Sequence, residues 1–127
     1  MEIEFRAWDK ISKSMKNVTF IQFESEQVLL EDALGCRTIN DEAILMQFTG
    51  MTDKNGKKIF DRDIVNACSE GVETIGVVQR RVDGLWIIYP AFQKNIFWGL
   101  MPNENGKTSI EVIGNKFENP ELMEANR

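Results

Sequence analysis

The pairs Asn55-Gly56, Asp83-Gly84 and Asn105-Gly106 constrain this chain more than any other feature. Each joins two residues that tolerate positive φ, as a two-residue reversal between antiparallel strands requires. The segments they separate are short and rich in β-branched and aromatic residues, the composition of strands. Residues 63–68 (DIVNAC) alternate briefly, with Ile64 and Asn66 opposite Val65 and Ala67. Residues 72–82 form a longer β-rich run in which Gly76 predicts a bend or bulge. Residues 85–89 (LWIIY) follow the second reversal, and Pro90 stops ladder pairing. Residues 97–101 are apolar, and the strand pattern Ser109-Ile110-Glu111-Val112-Ile113-Gly114 follows the third. About five short strands cannot shield both faces of a flat sheet, so they are expected to curl into a small barrel.

The first part of the chain is also β-rich. Ile3, Phe5 and Ala7 alternate with Glu2, Glu4, Arg6 and Trp8, which places Trp8 on the polar face of the first strand. Residues 9–16 read as a polar loop, and residues 17–23 (NVTFIQF) as a strand that pairs back. Val28, Leu29 and Leu30 fit a strand or a short helix equally well. Asp41 is placed to cap a helical turn before a strand at residues 44–49. Near the end, Asn119-Pro120-Glu121 combines a capping side chain, a proline for the first helical position and an acid at the positive end. A short helix to about Ala125 is expected from it. The fold class is therefore α+β, mainly β. An N-terminal α+β subdomain over residues 1–50 packs on a barrel subdomain over residues 51–127 that ends in the helix. No internal repeat, low-complexity segment or Pro/Ser linker is visible.

With 127 residues the chain has the length of one ordinary domain or two small subdomains. Histidine is absent, so serine–histidine and cysteine–histidine nucleophile pairs cannot be built within one chain. Cys36 and Cys68 have no CxxC partner, too few soft ligands for structural zinc, and they are expected to be reduced and buried. No GxxxxGK[ST] or GxGxxG phosphate-binding motif occurs. Acidic residues are present, but spacing across loops does not bring two carboxylates to a catalytic distance. The expectation is a protein with no catalytic residue, no metal and no cofactor. No apolar run approaches the ~20 residues of a membrane helix, and the first residues lack a signal-peptide pattern, which predicts a cytoplasmic protein.

The net charge is −5, and residues 24–42 account for all of it with six acids against Arg37. No alternating Asp spacing with a turn glycine makes this a calcium loop, so it reads as solvated surface. An acidic chain repels phosphate, which disfavours nucleic acid as a partner.

Three segments together resemble the YopX-like family of small phage and prophage proteins. The first is Ile3-Glu4-Phe5-Arg6-Ala7-Trp8-Asp9. The second runs from Gln47-Phe48-Thr49-Gly50-Met51-Thr52-Asp53 through Asn55-Gly56 to Ile59-Phe60, and is followed by Asp63-Ile64-Val65. The third is Glu111-Val112-Ile113-Gly114-Asn115 with Glu118-Asn119-Pro120-Glu121-Leu122. The resemblance implies a two-part protein whose N-terminal portion oligomerises and whose C-terminal portion is an SH3-like barrel. It supplies no catalytic residues. Arg62 stands where that family commonly has glycine, so a left-handed backbone there would carry strain of roughly 1–2 kcal/mol. Phe48 and Phe60 stand where tyrosine is also usual.

Two sets of residues are candidates for binding. Lys54, Lys57, Lys58 and Arg62 lie among Asp53, Asp61 and Asp63, and either contact phosphate or form the solvated face of a turn. Trp86, Tyr89, Phe92, Phe97 and Trp98 either line a peptide or base-stacking groove or fill the barrel core. Trp8 is the best single interface anchor. The expected activity is that of a non-catalytic protein-interaction or assembly module, a homo-oligomer with a further protein partner. The alternative is a nucleic-acid accessory protein that uses residues 54–62.

Overall fold

The alternating first segment forms β1 (Phe5–Asp9), which pairs antiparallel with β2 (Ser14–Gln22) in the computed structural model. Residues 4–22, 27–31, 37–40, 43–69, 71–89 and 97–124 are described. Contacts divide the chain into two units, Glu2–Gln47 and Phe48–Arg127.

In the first unit, β3 (Gln27–Glu31) pairs with β2, and β4 (Arg37–Asn40) pairs with β3. On the other side of β1 lies β5 (Ile44–Thr52), with Trp8 opposite Ile44 and Phe5 opposite Gln47. Periodicity could not assign Val28–Leu30, and pairing with β2 makes the segment a strand. The described residues of 1–50 form strands and turns, so the helical part of the expected α+β portion is not found among them. Asp41, Ile3 and Cys36 lie outside the described residues.

The polar loop expected over residues 9–16 shrinks to a four-residue turn, because Asp9 organises it. Its buried carboxylate accepts the Ile11 N–H at 2.9 Å and the Ser12 N–H at 3.4 Å. Lys16, also largely buried, donates to the second oxygen at 2.9 Å. Beside this turn, Ala7 packs with Val18, Ala43 and Leu45.

The second unit continues β5 into β6 (Lys58–Phe60), with Phe48 opposite Phe60. A five-stranded antiparallel sheet follows in the order β10 (Trp98–Gly99), β9 (Trp86–Tyr89), β8 (Val72–Arg80), β7 (Asp63–Ser69), β11 (Glu111–Asn115). Ile59, Val65, Val78, Ile88, Ile110 and Val112 share one buried core, so residues of β6 and the sheet face inward together. Each aliphatic side chain so buried contributes roughly 1.5–3 kcal/mol. The chain is mainly β. Its one described helix, α1 (Glu121–Glu124), is a single turn against β8.

All three glycine turns form, with a geometry other than the expected two-residue reversal. Gly56, Gly84 and Gly106 have φ of 84°, 90° and 77°, while the residue before each is not left-handed. Each loop closes with the same two backbone bonds: Asp53 N–H to Lys57 O, Arg81 N–H to Leu85 O and Asn103 N–H to Lys107 O, with the glycine N–H returning to the first carbonyl. These are three-residue loops in which the glycine makes the bulge. In the first and third, one side-chain oxygen also accepts two backbone N–H groups. Asp53 takes those of Asn55 and Lys57, and Asn103 takes those of Asn105 and Lys107. The spacing Asx-x-Asn-Gly-Lys thus occurs twice in the sequence, a repeat too short to be seen as one. The two turns are also joined, since Thr52 N–H donates to Gly106 O at 2.9 Å and Thr108 N–H to Thr52 O at 2.8 Å.

Three expectations change. The β7–β8 register runs unbroken past Gly76, and the bulge lies in β11 between Val112 and Gly114. A Cβ at Gly114 would stand 2.5 Å from Asn119 Oδ1, so only glycine lets Asn119 approach. That oxygen accepts the Asn115 N–H at 3.3 Å, which gives the expected helix-capping side chain to β11. Cys68 is exposed rather than buried, because the strand alternation that buries Ala67 turns its neighbour outward.

Arg62 has φ of 68°, so the position does demand a left-handed backbone. Its N–H donates to Val78 O at 2.8 Å and its carbonyl accepts the Lys116 N–H at 2.9 Å, which hold the strained conformation in place. Arg62→Gly relieves about 1–2 kcal/mol of strain and loses about 0.5–1 kcal/mol through a freer unfolded chain. The expected net gain is about 0.5–1 kcal/mol in urea unfolding. A loss of stability would show that the Arg62 side chain contributes more than its backbone strain removes.

Candidate functional site

The basic stretch is distributed among local partners. Lys54, exposed at the hairpin tip, lies 3.5 Å from Glu111. The exposed Lys57 closes the turn through its backbone. Lys58, half-buried on β6, stands 5.3 Å from the centre of the Phe48 ring, which packs in turn on Phe60 at 5.6 Å. Arg62 donates to Asp61 at 2.9 Å. Arg62 lines a groove whose walls also include Arg80 and Lys116, residues remote in sequence. Trp8 is half-buried in β1 between Met15 and Ile44 as ladder neighbours.

The aromatic set divides between core and surface. Trp86 is buried in the core, with the Arg80 guanidinium 5.9 Å from its ring centre. Trp98 is half-buried and packs on the same core. Phe97 is exposed, with the Arg81 guanidinium 5.1 Å from its ring. Tyr89 is half-buried, and Phe92 lies outside the described residues.

Sequence reasoning missed the edge of the five-stranded sheet. At one side, β11 is covered: Lys54 N–H donates to Ile110 O and Val112 N–H to the Asp53 carboxylate. At the other, β10 is the terminal strand among the described residues. Phe97 and Met101 flank it, and Met101 is 80% exposed. Between β10 and residues 108–110 lies a cleft of about 160 Å³ whose walls include Cys68, Ile88, Trp98, Gly99, Met101 and Ile110. The sequence signal is the pair Phe97 and Met101 bracketing Trp98-Gly99, of which only Phe97 enters the groove-or-core alternative drawn from the sequence.

The buried carboxylates serve the fold. Lys16 holds Asp9 at a pKa of about 2, against the opposing effect of burial and with help from the Ile11 and Ser12 N–H groups. Burial raises the Asp53 carboxyl, but the N–H groups of Val112, Lys57 and Asn55, with the Lys57 charge, outweigh it and hold it below the ordinary range. Asp63 accepts the Phe60 N–H at 2.7 Å. Among the described residues no three His, Cys, Asp or Glu side chains are grouped to hold a metal ion. No described helix is long and apolar enough to cross a membrane.

A crystal structure of protein EF1440 from Enterococcus faecalis is similar, at 25% identity and a TM-score of 0.63, over 97% of this chain and 99% of that one. None of the curated proteins matches. The family model described as YopX protein matches residues 4–124, nearly the whole length, and the chain belongs to the YopX family.

Proposed function

We propose that this is a cytoplasmic, phage- or prophage-type assembly module that acts by binding and not by catalysis. Its scaffold is an SH3-like barrel built from the second unit, and its first partner is a second copy of the chain. The support for the barrel is the curled antiparallel sheet with its single inward core. The observation that carries the binding reading is β10, the terminal strand among the described residues, flanked by exposed Phe97 and Met101 beside an open cleft. An edge strand is a template for another strand. Two copies of one strand meet antiparallel across a two-fold axis, which makes the edge self-complementary. Gly99, with no side chain, lets the second backbone come close.

The nucleic-acid alternative loses ground, because the basic stretch is divided among Glu111, Phe48 and Asp61. Sedimentation velocity at tens of micromolar tests the assembly reading. The wild-type chain is expected to sediment as a dimer or larger, and Met101→Lys to shift it about tenfold toward monomer. A strict monomer at that concentration would contradict the proposal.

A further inference from the structure

The repeated turn places one chemical group in two settings. Asn55-Gly56-Lys57 and Asn105-Gly106-Lys107 share the asparagine and the two residues that follow it. Both asparagines are exposed, and each leads into a left-handed glycine whose N–H returns to the carbonyl of Asp53 or Asn103 at 3.0 Å. Once such a turn opens, the asparagine Cγ comes within reach of the next backbone nitrogen, and a glycine there has no side chain to hinder attack. The two turns differ in how firmly they are closed. The arms of the first are β5 and β6, and its anchor Asp53, 1% exposed, also holds the Val112 N–H. Lys54 N–H fastens the same turn to Ile110 O. In the second, residues 101–105 are exposed and outside any strand, and the anchor Asn103 is a neutral side chain holding two local N–H groups. The bonds from Thr52 to Gly106 O and from Thr108 to Thr52 O fasten the side that follows Asn105, so they do not restrain the arm that leads into it.

We propose that Asn105 is a spontaneous modification site, converted to aspartate and isoaspartate well ahead of Asn55. The Gly106 nitrogen attacks the Asn105 Cγ and gives its proton to water. The bond from Cγ to the side-chain nitrogen then breaks, and that nitrogen regains a proton and leaves as ammonia. The resulting succinimide ring takes up one water at either carbonyl carbon and opens to aspartate or to isoaspartate. The net change is an amide exchanged for a carboxylate, with no oxidant or reductant. Isoaspartate carries the main chain through the side-chain carbon, so a three-residue loop gains a backbone atom between ends held by Asn103 and Lys107. That displaces the Gly106 carbonyl from the Thr52 N–H and loosens the joint between the two turns. The new carboxylate also adjoins Glu104, in a chain of net charge −5.

Incubation of the full chain in mildly alkaline buffer, with both sites followed by peptide mass mapping, tests the assignment. Asn105 is expected to convert about tenfold faster than Asn55, since the folded turn must open before the ring can close. In concentrated urea both turns are open, and the two rates are expected to agree within about twofold. Asn103→Ala should speed conversion at Asn105 about threefold and leave Asn55 unchanged, because it removes the acceptor that helps to close the second turn. Equal rates in the folded chain, or a faster Asn55, overturn the proposal. So does an Asn105 that converts only in urea. A tenfold ratio that persists in urea overturns it as well, by tracing the difference to the preceding Lys54 and Glu104 rather than to the fold.

Discussion

Asp53→Ala is expected to lower the stability of the second unit by roughly 3–5 kcal/mol. The side chain is 1% exposed and receives three backbone N–H groups. Two belong to its own hairpin, and the third, from Val112 at 3.0 Å, lies across the sequence in β11. Removing the acceptor leaves three donors without a partner, and a buried donor so left costs roughly 1–3 kcal/mol. The repeated turn supplies an internal control. Asn103 holds the same two local N–H groups at 2.9 and 3.0 Å in an exposed setting. Asp53→Asn keeps an oxygen for Asn55 and Lys57 but turns an NH2 group toward the Val112 N–H, which costs about 2 kcal/mol. Asn103→Asp should stay within about 0.5 kcal/mol of wild type. Urea unfolding of the three variants measures these values, and an Asp53→Asn protein as stable as wild type would refute the assigned role.

Lys16→Met is expected to destabilise the first unit by roughly 2–4 kcal/mol. The ion pair with Asp9 is largely buried, at 12% and 6% side-chain exposure, so removing one partner leaves a charge in a poor environment. The same pair sets a pH dependence. The folded carboxyl titrates near 2, below the ordinary value of 3.8, so its stabilisation is full above that ordinary value. It is lost as pH falls from about 4 toward 2, at about 2 kcal/mol for this group. Acid unfolding followed by resonances of the first unit should show that slope in wild type and a flatter one in Lys16→Met. Equal slopes would place the pH dependence elsewhere.

Both predictions rest on aspartates whose importance was hard to read in the sequence. Turn glycines, apolar runs and the mainly-β character were legible, because Asn-Gly and Asp-Gly between β-branched segments have a local physical cause. The pairing of Val28–Leu30 was not, since three consecutive apolar residues have no period and only the neighbouring strand decides. Asp9 and Asp53 looked like ordinary polar turn residues, and their burial depends on Lys16 and Val112, which the fold brings to them. Arg62 was the exception, a residue whose strain the family resemblance, with glycine common there, led one to expect and which is seen in φ. For the basic stretch, linear spacing left two readings open because it does not say where each side chain points. Lys54 goes to Glu111, Lys58 to Phe48 and Arg62 to Asp61.

That the chain works by joining its β10 edge to another copy is tested most directly by amide hydrogen exchange at Trp98–Met101, followed over a hundredfold range of concentration (about 1 to 100 μM). Protection of these amides is expected to rise with concentration while that of the core strand β7 stays constant. Exchange at β10 that is the same at both extremes would contradict the account.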